Sequence, residues 1–476
     1  MRRKKYNELM KFLKILVIVI SALLANYSLG WTYEGAKEKR TVGKDSVVVA
    51  ASHKYSHLTP IKWFFLGKNY RKEWSIPVAM PIFHLQTTKG GFTIEKMGGG
   101  QQTKTLHLVN KNGSEWVLRS VDKEVSNEAF PPMFKQRFVK NIVQDQISAA
   151  YPYAQLTIHD LSVAVGIPST TSELYYIPDD PALGQFRPVF AHRVCFLSPK
   201  AIDPGGIPLN DTTAKIVLID TDSLKQRLDI DSRNRVLQER VLRVRLLDML
   251  IADWDRHKGQ WEWGKMDSIG LYYFFPVPED RDQAYFLSQG ALPAVVRLFG
   301  MPHLVGFKSK PKRLEKLNHK AHSFDRYYMN ELNRSDWERI VKEFQVQMTD
   351  EVIQTAIKRL PPEAYALTGA EIEGKLKSRR DGLLEHAMKY YEFLNEEVGI
   401  FGSASPEVFT VRNYPDSAVV TVSKPNDKKL LYSRTLYPDT KVLSLVNVGT
   451  SDRVDTSGSP MVKIQFLEVK PEDDKK

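Results

Sequence analysis

Short alternations of apolar and polar residues set in from Gly91 onward. The stretch "GGFTIEKMGGGQQTKTLHLVNKNGSEWVLRSVDKE" holds three of strand length, over residues 92–97, 105–109 and 116–121. They are linked by "GGGQQ" and by "NKNGS". Asn-Gly accepts the positive φ angles of a tight hairpin, so the second link predicts a turn. A helical period follows over about residues 134–150, and "ELYYIP", "RVCFLSP" and "KIVLID" then return to strand character.

Over residues 235–252 the apolar period changes to three and four. Val236, Leu237, Val241, Val244, Leu247 and Ile251 share one helical face, with Arg240 and Arg243 on the other. "LYYFFPVPEDRDQAYF" reads as strand, turn and strand, with its acids at the turn. Residues 325–398 are helical in pattern, and Thr349 fits an N-cap followed by Asp350 and Glu351 at the positive end of a helix. From Pro406, "EVFTVRNYPDSAVVTV", "KKLLYSRTLYP" and "KVLSLVNV" alternate again.

The pattern therefore predicts an α+β chain of two lobes with an appendix. A β-rich lobe covers residues 91–200, a mostly helical lobe 201–402, and a small all-β module 403–476. Before them lie residues 1–30 and an extension, 31–90, to which the pattern assigns no role.

Charge adds a location. The first thirty residues carry six cations against Glu8, a net +5 out of +12 for the whole chain. This basic start precedes an apolar run over residues 15–25, and Ser28-Leu29-Gly30 offers the small residues a signal peptidase prefers. The run is short of the ~20 residues that span a bilayer. Residues 1–30 therefore read as a signal peptide or an N-terminal anchor, with residues 12–31 as the anchoring stretch. The expected location is exported, periplasmic or envelope-associated, with membrane contact through that segment alone. No block of basic residues interleaved with aromatics marks a nucleic-acid surface. Cys195 is the single cysteine, so no intrachain disulfide forms, and "RVCFL" places it as a buried small hydrophobe.

Three stretches carry candidate chemistry. Gly98, Gly99 and Gly100 sit between two strands, where missing Cβ atoms let backbone N–H groups approach phosphate oxygens. The next strand, "WVLRSVDK", places Arg119 and Lys123 as cations able to reach those phosphates. Phosphoryl transfer also needs a carboxylate to take the acceptor proton and oxygen ligands for a metal. "DWDRHKGQWEWG" supplies Asp255 and Gln260, and "PVPEDRDQAYF" supplies Asp280 and Asp282. A metal-dependent hydrolase built on Asp253, Asp255 and His257 is a third reading of the same loop.

"DWDRHKGQW" after "LLDMLIA" resembles the catalytic loop of the atypical kinases, namely the phosphatidylinositol kinases, the HipA-like bacterial kinases and the secretory-pathway casein kinases. The resemblance implies a bilobal kinase-like domain that uses ATP or another nucleotide with Mg2+ or Mn2+. It implies Asp255 as catalytic acid/base with His257 as its loop partner, and Gln260 where Asn or Glu usually holds the metal. Asp280, with Asp282 as the alternative, matches the metal-binding acid. Gly98 to Gly100 match the nucleotide turn, and Arg119, or Lys123 from further along, stands for the phosphate-binding lysine. No clear Glu stands in the helix that should pair with this cation; Gln144, Asp145 and Gln146 occupy it. Residues 90–470 also resemble uncharacterised envelope proteins of Bacteroidetes-type bacteria, which implies a location more than a reaction.

The resulting expectation is an exported kinase-like phosphotransferase acting on a hydroxyl of an envelope protein, glycan or lipid. The alternative is a catalytically inactive scaffold on the same fold.

Overall fold

The computed structural model describes residues 40–41, 45–99, 103–125, 137–206, 216–268, 270–427, 430–446 and 451–467. Residues 1–30, expected to be a signal peptide or anchor, Gly100 and the charged C-terminal tail lie outside them. The chain opens with a three-stranded antiparallel sheet, β1 (Arg40–Thr41), β2 (Ser46–Ala50) and β3 (Pro77–Pro81). Helices α1 (Pro60–Leu66) and α2 (Arg71–Ser75) lie between β2 and β3.

The three strands expected after Gly91 form as β4 (Phe92–Gly98), β5 (Thr105–Asn110) and β6 (Glu115–Ser120). At the "NKNGS" turn the Asn110 Oδ1 accepts from Asn112 and Ser114 N–H, and Gly113 takes φ +82°. Helices α3 (Arg137–Gln146) and α4 (Gln155–Ala164) follow, then β7 (Glu173–Ile177) and β8 (Arg193–Pro199). The five strands make one antiparallel sheet in the order β4-β5-β6-β8-β7. Cys195 on β8 is fully buried, opposite Ser120, and burial pushes its thiol up to about 12.

A second sheet, ordered β10-β12-β11-β9, adjoins the segments that bear Asp255, Asp280 and Asp282. It comprises β9 (Leu218–Asp220), β10 (Asn234–Val236), β11 (Trp261–Ser268) and β12 (Leu271–Pro278), with α5 (Thr221–Ile230) after β9 and α6 (Gln238–Ile251) after β10. Residues 235 and 236, expected to begin the helix, instead belong with Asn234 to β10, which pairs in parallel with residues 272–274. The second strand expected in "EDRDQAYF" is absent. Ala284, Tyr285 and Phe286 are all buried, so they do not alternate. Asp280 and Tyr285 also adopt positive φ, and the Tyr285 N–H donates to the Ile251 carbonyl at 2.8 Å. This segment is coil tucked under the end of α6.

Helices α7 (Ala291–Phe299), α8 (His322–Tyr328), α9 (Arg334–Gln347), α10 (Asp350–Ile357), α11 (Ala370–Asp381) and α12 (Leu383–Asn395) build the helical lobe. Thr349 caps α10 as expected, its hydroxyl accepting from Val352 N–H at 3.1 Å. From Glu397 seven strands form two sheets, ordered β13-β17-β19 and β16-β15-β14-β18, around a core of their own. They are β13 (Glu397–Phe401), β14 (Val408–Asn413), β15 (Ala418–Ser423), β16 (Leu430–Leu436), β17 (Val442–Val446), β18 (Arg453–Ser457) and β19 (Lys463–Leu467).

The largest core contains Val47, Trp74 and Met80 of the N-terminal extension together with α4, α6 and α9 to α12. That extension is thus packed into the helical lobe.

Gly264 on β11 faces Phe275 on β12, and a Cβ there would lie 2.1 Å from the buried Phe275 ring. Gly264→Ala should lower stability by about 1–3 kcal/mol, as overpacking does. Thermal unfolding of the two proteins measures it, and an unchanged midpoint would show that the ring has room to move.

Candidate active site

The loop bearing Asp255 is set by how α6 ends. Ala252 takes a left-handed φ of +57°, and the N–H groups of Ala252 and Asp253 both return to the Asp248 carbonyl, which closes the helix. Asp253 then points inward, 1% exposed, and its Oδ1 accepts the Asp255 N–H at 3.0 Å. That turn leaves Asp255 partly exposed, with Oδ1 2.6 Å from Lys320 Nζ. Lys320 in turn sits over the Trp254 ring, 4.6 Å from its centre.

Beneath the loop lies a buried cluster of charges. Asp248, on α6, receives Arg245 at 2.9 Å, Arg281 at 2.9 Å and Arg256 at 3.2 Å. Arg245 continues to Asp325 at 2.8 Å and Asn318 at 2.7 Å. An amphipathic helix was expected here, but Arg245 and Asp248 are both fully buried within it. Their charges are answered by each other rather than by water.

Arg256 ties the two acid segments into one unit. Its guanidinium donates to the carbonyls of Gln260 at 3.1 Å, Glu279, and Asp280 at 3.4 Å. Glu279 N–H also donates to the Gln260 carbonyl at 3.0 Å. Trp261 and Trp263 are buried and stacked behind this junction, Trp261 lying 4.4 Å from the Phe324 ring. His257 is exposed, and its Nδ1 accepts the Gly259 N–H at 3.2 Å, so it stiffens its own loop.

The β lobe meets these acids directly. Gly98, Thr105 and Arg119 stand opposite one another across β4, β5 and β6, so the glycine turn and Arg119 share one end and one face of the sheet. Gly99 has φ +114°, and a Cβ there would be 2.3 Å from the Thr103 carbonyl, so glycine is required. Arg119 pairs with Asp280 at 3.1 Å, and the buried Lys123 pairs with Asp282.

Lys123 is held from three sides. Gln144 on α3 donates to its carbonyl at 2.8 Å and accepts from Val125 N–H at 3.0 Å. The preceding Asp122 takes Tyr55 Oη at 2.8 Å, Lys54 at 2.8 Å and Ser52 Oγ at 3.1 Å, all from the extension. Asp145, the one acid among Gln144, Asp145 and Gln146 of the helix expected to pair with the cation, does not face it. Arg71 and Lys62 of the extension hold it instead.

The electrostatics follow from this crowding. Burial, then the neighbouring Asp282, pushes the Asp280 carboxyl up to about 6. Burial opposes ionisation of Asp282 as well, yet Lys123 beside it keeps that carboxyl below its usual range. Burial also opposes the Lys123 charge, but Asp282, Asp280 and Asp255 together raise its pKa. One field therefore joins Lys123 to all three acids. Burial carries Asp253 up to about 7 against the pull of Arg256.

Magnesium is usually bound by one or two carboxylates together with substrate phosphates, so a full protein cage is not required. Gln260 Oε1 is buried without a hydrogen-bond donor, and Asp280 Oδ1 has its ion pair with Arg119 and no hydrogen bond. These oxygens suit a hard cation. No group of three His, Cys, Asp or Glu able to hold a metal occurs among the described residues. Of the three residues of the hydrolase reading, Asp253 is buried, Asp255 partly exposed and His257 exposed.

Sequence reasoning missed Lys320, the role of Arg256 and the whole clamp from the extension. The available signal for the buried cluster was "VRLLDMLI", in which Arg245 and Asp248 interrupt an apolar run one helical turn apart.

No family model and no curated protein matches the chain. Among solved structures it is similar to a Helicobacter pylori proinflammatory kinase, CtkA, at 13% identity and a TM-score of 0.30, over 60% of this chain and 95% of that one.

The raised Asp253 carboxyl has a testable sign. The folded state holds this proton more tightly than the unfolded chain, so the contribution of Asp253 to stability falls as pH rises from its ordinary value near 3.8 to about 7. Asp253→Asn should therefore be more stable than the parent above pH ~7, with the difference shrinking toward pH ~4. Thermal unfolding across that range decides it; a pH-independent difference would mean that Asp253 stays ionised.

Proposed function

We propose that this chain is a kinase-like phosphotransferase that moves a phosphoryl group from a nucleotide–metal complex to a hydroxyl acceptor. The observation that carries the reading is the pairing of two β-lobe cations, Arg119 and Lys123, with Asp280 and Asp282, next to Asp255. An arrangement that brings phosphate-binding cations, metal-binding oxygens and a partly exposed carboxylate to one place has the parts phosphoryl transfer needs.

Asp280, Asp282 and Gln260 would hold Mg2+ or Mn2+, whose chemistry there is to neutralise charge on the phosphates. Gly98 and Gly99 would let the β4–β5 turn close over the nucleotide. Arg119 and Lys123 would turn from the acids toward the phosphates, and Lys320 would keep Asp255 aimed. Asp255 would take the proton of the acceptor hydroxyl as its oxygen bonds to phosphorus, while the bond to the leaving nucleoside diphosphate breaks. The chain is read as exported, and the acceptor as an envelope protein, glycan or lipid.

One observation favours a second reading, a scaffold that has given up catalysis. Arg119 and Lys123 already neutralise the acids, and Gln144, not an acid, reaches Lys123 from α3.

A thermal-shift titration with ATP, GTP and ADP, with and without magnesium, separates the two. Nucleotide at a hundred times its dissociation constant should stabilise the protein by about 2.7 kcal/mol. Asp280→Ala should remove the metal-dependent part. Asp255→Asn should keep the shift yet slow phosphoryl transfer by about 10²–10⁴-fold. No shift with any nucleotide would leave the scaffold.

A further inference from the structure

Away from the charged site, α1 and α7 together expose an apolar surface that none of the described residues covers. On α1, Trp63 is 59% and Phe64 60% exposed. α7, "ALPAVVRLF", carries a single charge, Arg297, yet Leu292, Val295 and Val296 are only half-buried. Leu298 is 76% exposed, and Met301 just beyond it 48%. Solitary exposed apolar side chains are ordinary, but a contiguous group marks a contact surface.

The two helices form one platform because their backbones meet. A Cβ on Gly290, which precedes α7, would lie 2.6 Å from the Phe65 carbonyl, and one on Gly67, which follows α1, 2.5 Å from Gln289. Asn69 N–H also donates to Gln289 Oε1 at 2.9 Å.

Charge identifies the occupant. Between Asp45 and Glu73 the chain has no acidic residue, and between Asp282 and Glu315 it again has none. The second of these stretches carries Arg297, Lys308, Lys310, Lys312 and Arg313. The last four are exposed, as are Lys68 and Lys72 beside α1. Arg379 fixes the start of the run by donating to the Lys308 carbonyl at 2.9 Å.

We infer that α1, α7 and the 308–313 run dock this protein on an anionic lipid surface. Exposed Trp and Phe suit the bilayer interface, and the flanking cations suit acidic headgroups. A second copy of the chain would bring its own cations against these, since both segments are free of acids. The inference concerns residues 60–66, 291–301 and 308–313 and does not depend on the reaction at Asp255.

The test is hydrogen–deuterium exchange on the full chain, alone, with phosphatidylcholine vesicles, and with vesicles containing phosphatidylglycerol. Because the readout is local, membrane binding through the N-terminal segment does not mask it. Exchange over residues 60–66 and 291–301 should slow severalfold with phosphatidylglycerol and stay near the free rate with phosphatidylcholine alone. Trp63→Ser with Leu298→Ser, both at exposed positions, should abolish the protection. Reversing charge at Lys308, Lys310 and Lys312 should do the same, since each cation strengthens binding to an anionic surface by about fivefold. Vesicle binding with unchanged exchange in these segments would overturn the inference. Protection that rises with protein concentration and no lipid would overturn it in favour of self-association.

Discussion

Three guanidinium groups buried around Asp248 fix the geometry of everything above them. Arg245, Arg256 and Arg281 converge on one carboxylate at the end of α6, and Arg245 also pairs with Asp325. Ions in the interior carry a desolvation cost of several kcal/mol each, so such a cluster persists only when its partners are all in place. Its return is positional: Arg256 spends its remaining donors on the carbonyls of Gln260, Glu279 and Asp280, so neither acid-bearing loop can shift without the other. A hydrophobic plug of equal volume would fill the same space but could not orient two loops.

A second constraint comes from the opposite side. The β lobe reaches the helical lobe through Arg119 and Lys123, and Lys123 is in turn immobilised by Gln144 and by an extension that packs into the helical core. The cation and the acids are therefore held by elements that share a core. This explains why residues 45–90, to which the sequence pattern assigned no role, are well packed. It also fixes the difference between enzyme and scaffold in physical terms, as the competition between phosphate and carboxylate for the same two cations.

Local signals made much of this legible in the sequence. The Asn-Gly hairpin, the Thr349 cap and the alternation of β14 to β17 each depend on residues close together in the chain, and each formed where expected. By contrast β13, at residues read as the end of the helical run, and β18 and β19 were not anticipated. Motif order also brought Gly98, Arg119, Lys123, Asp280 and Asp282 into one neighbourhood before any contact was visible. What was hidden depends on long-range partners. Asp145 looked available until Arg71, seventy-four residues earlier, claimed it. Lys320 is sixty-five residues from Asp255 and belongs to no pattern. "DQAYF" mimicked a strand because packing beneath α6 buries consecutive side chains.

The lone thiol in β8 gives this protein a built-in reporter. Cys195 is sealed inside the β lobe, in register with Ser120 next to Arg119, and its proton is held far more tightly than that of a free cysteine. Alkylation therefore has to wait until the five-stranded sheet opens, and no second cysteine competes for the reagent. The labelling rate of the natural chain thus measures breathing of one lobe alone, without an introduced probe.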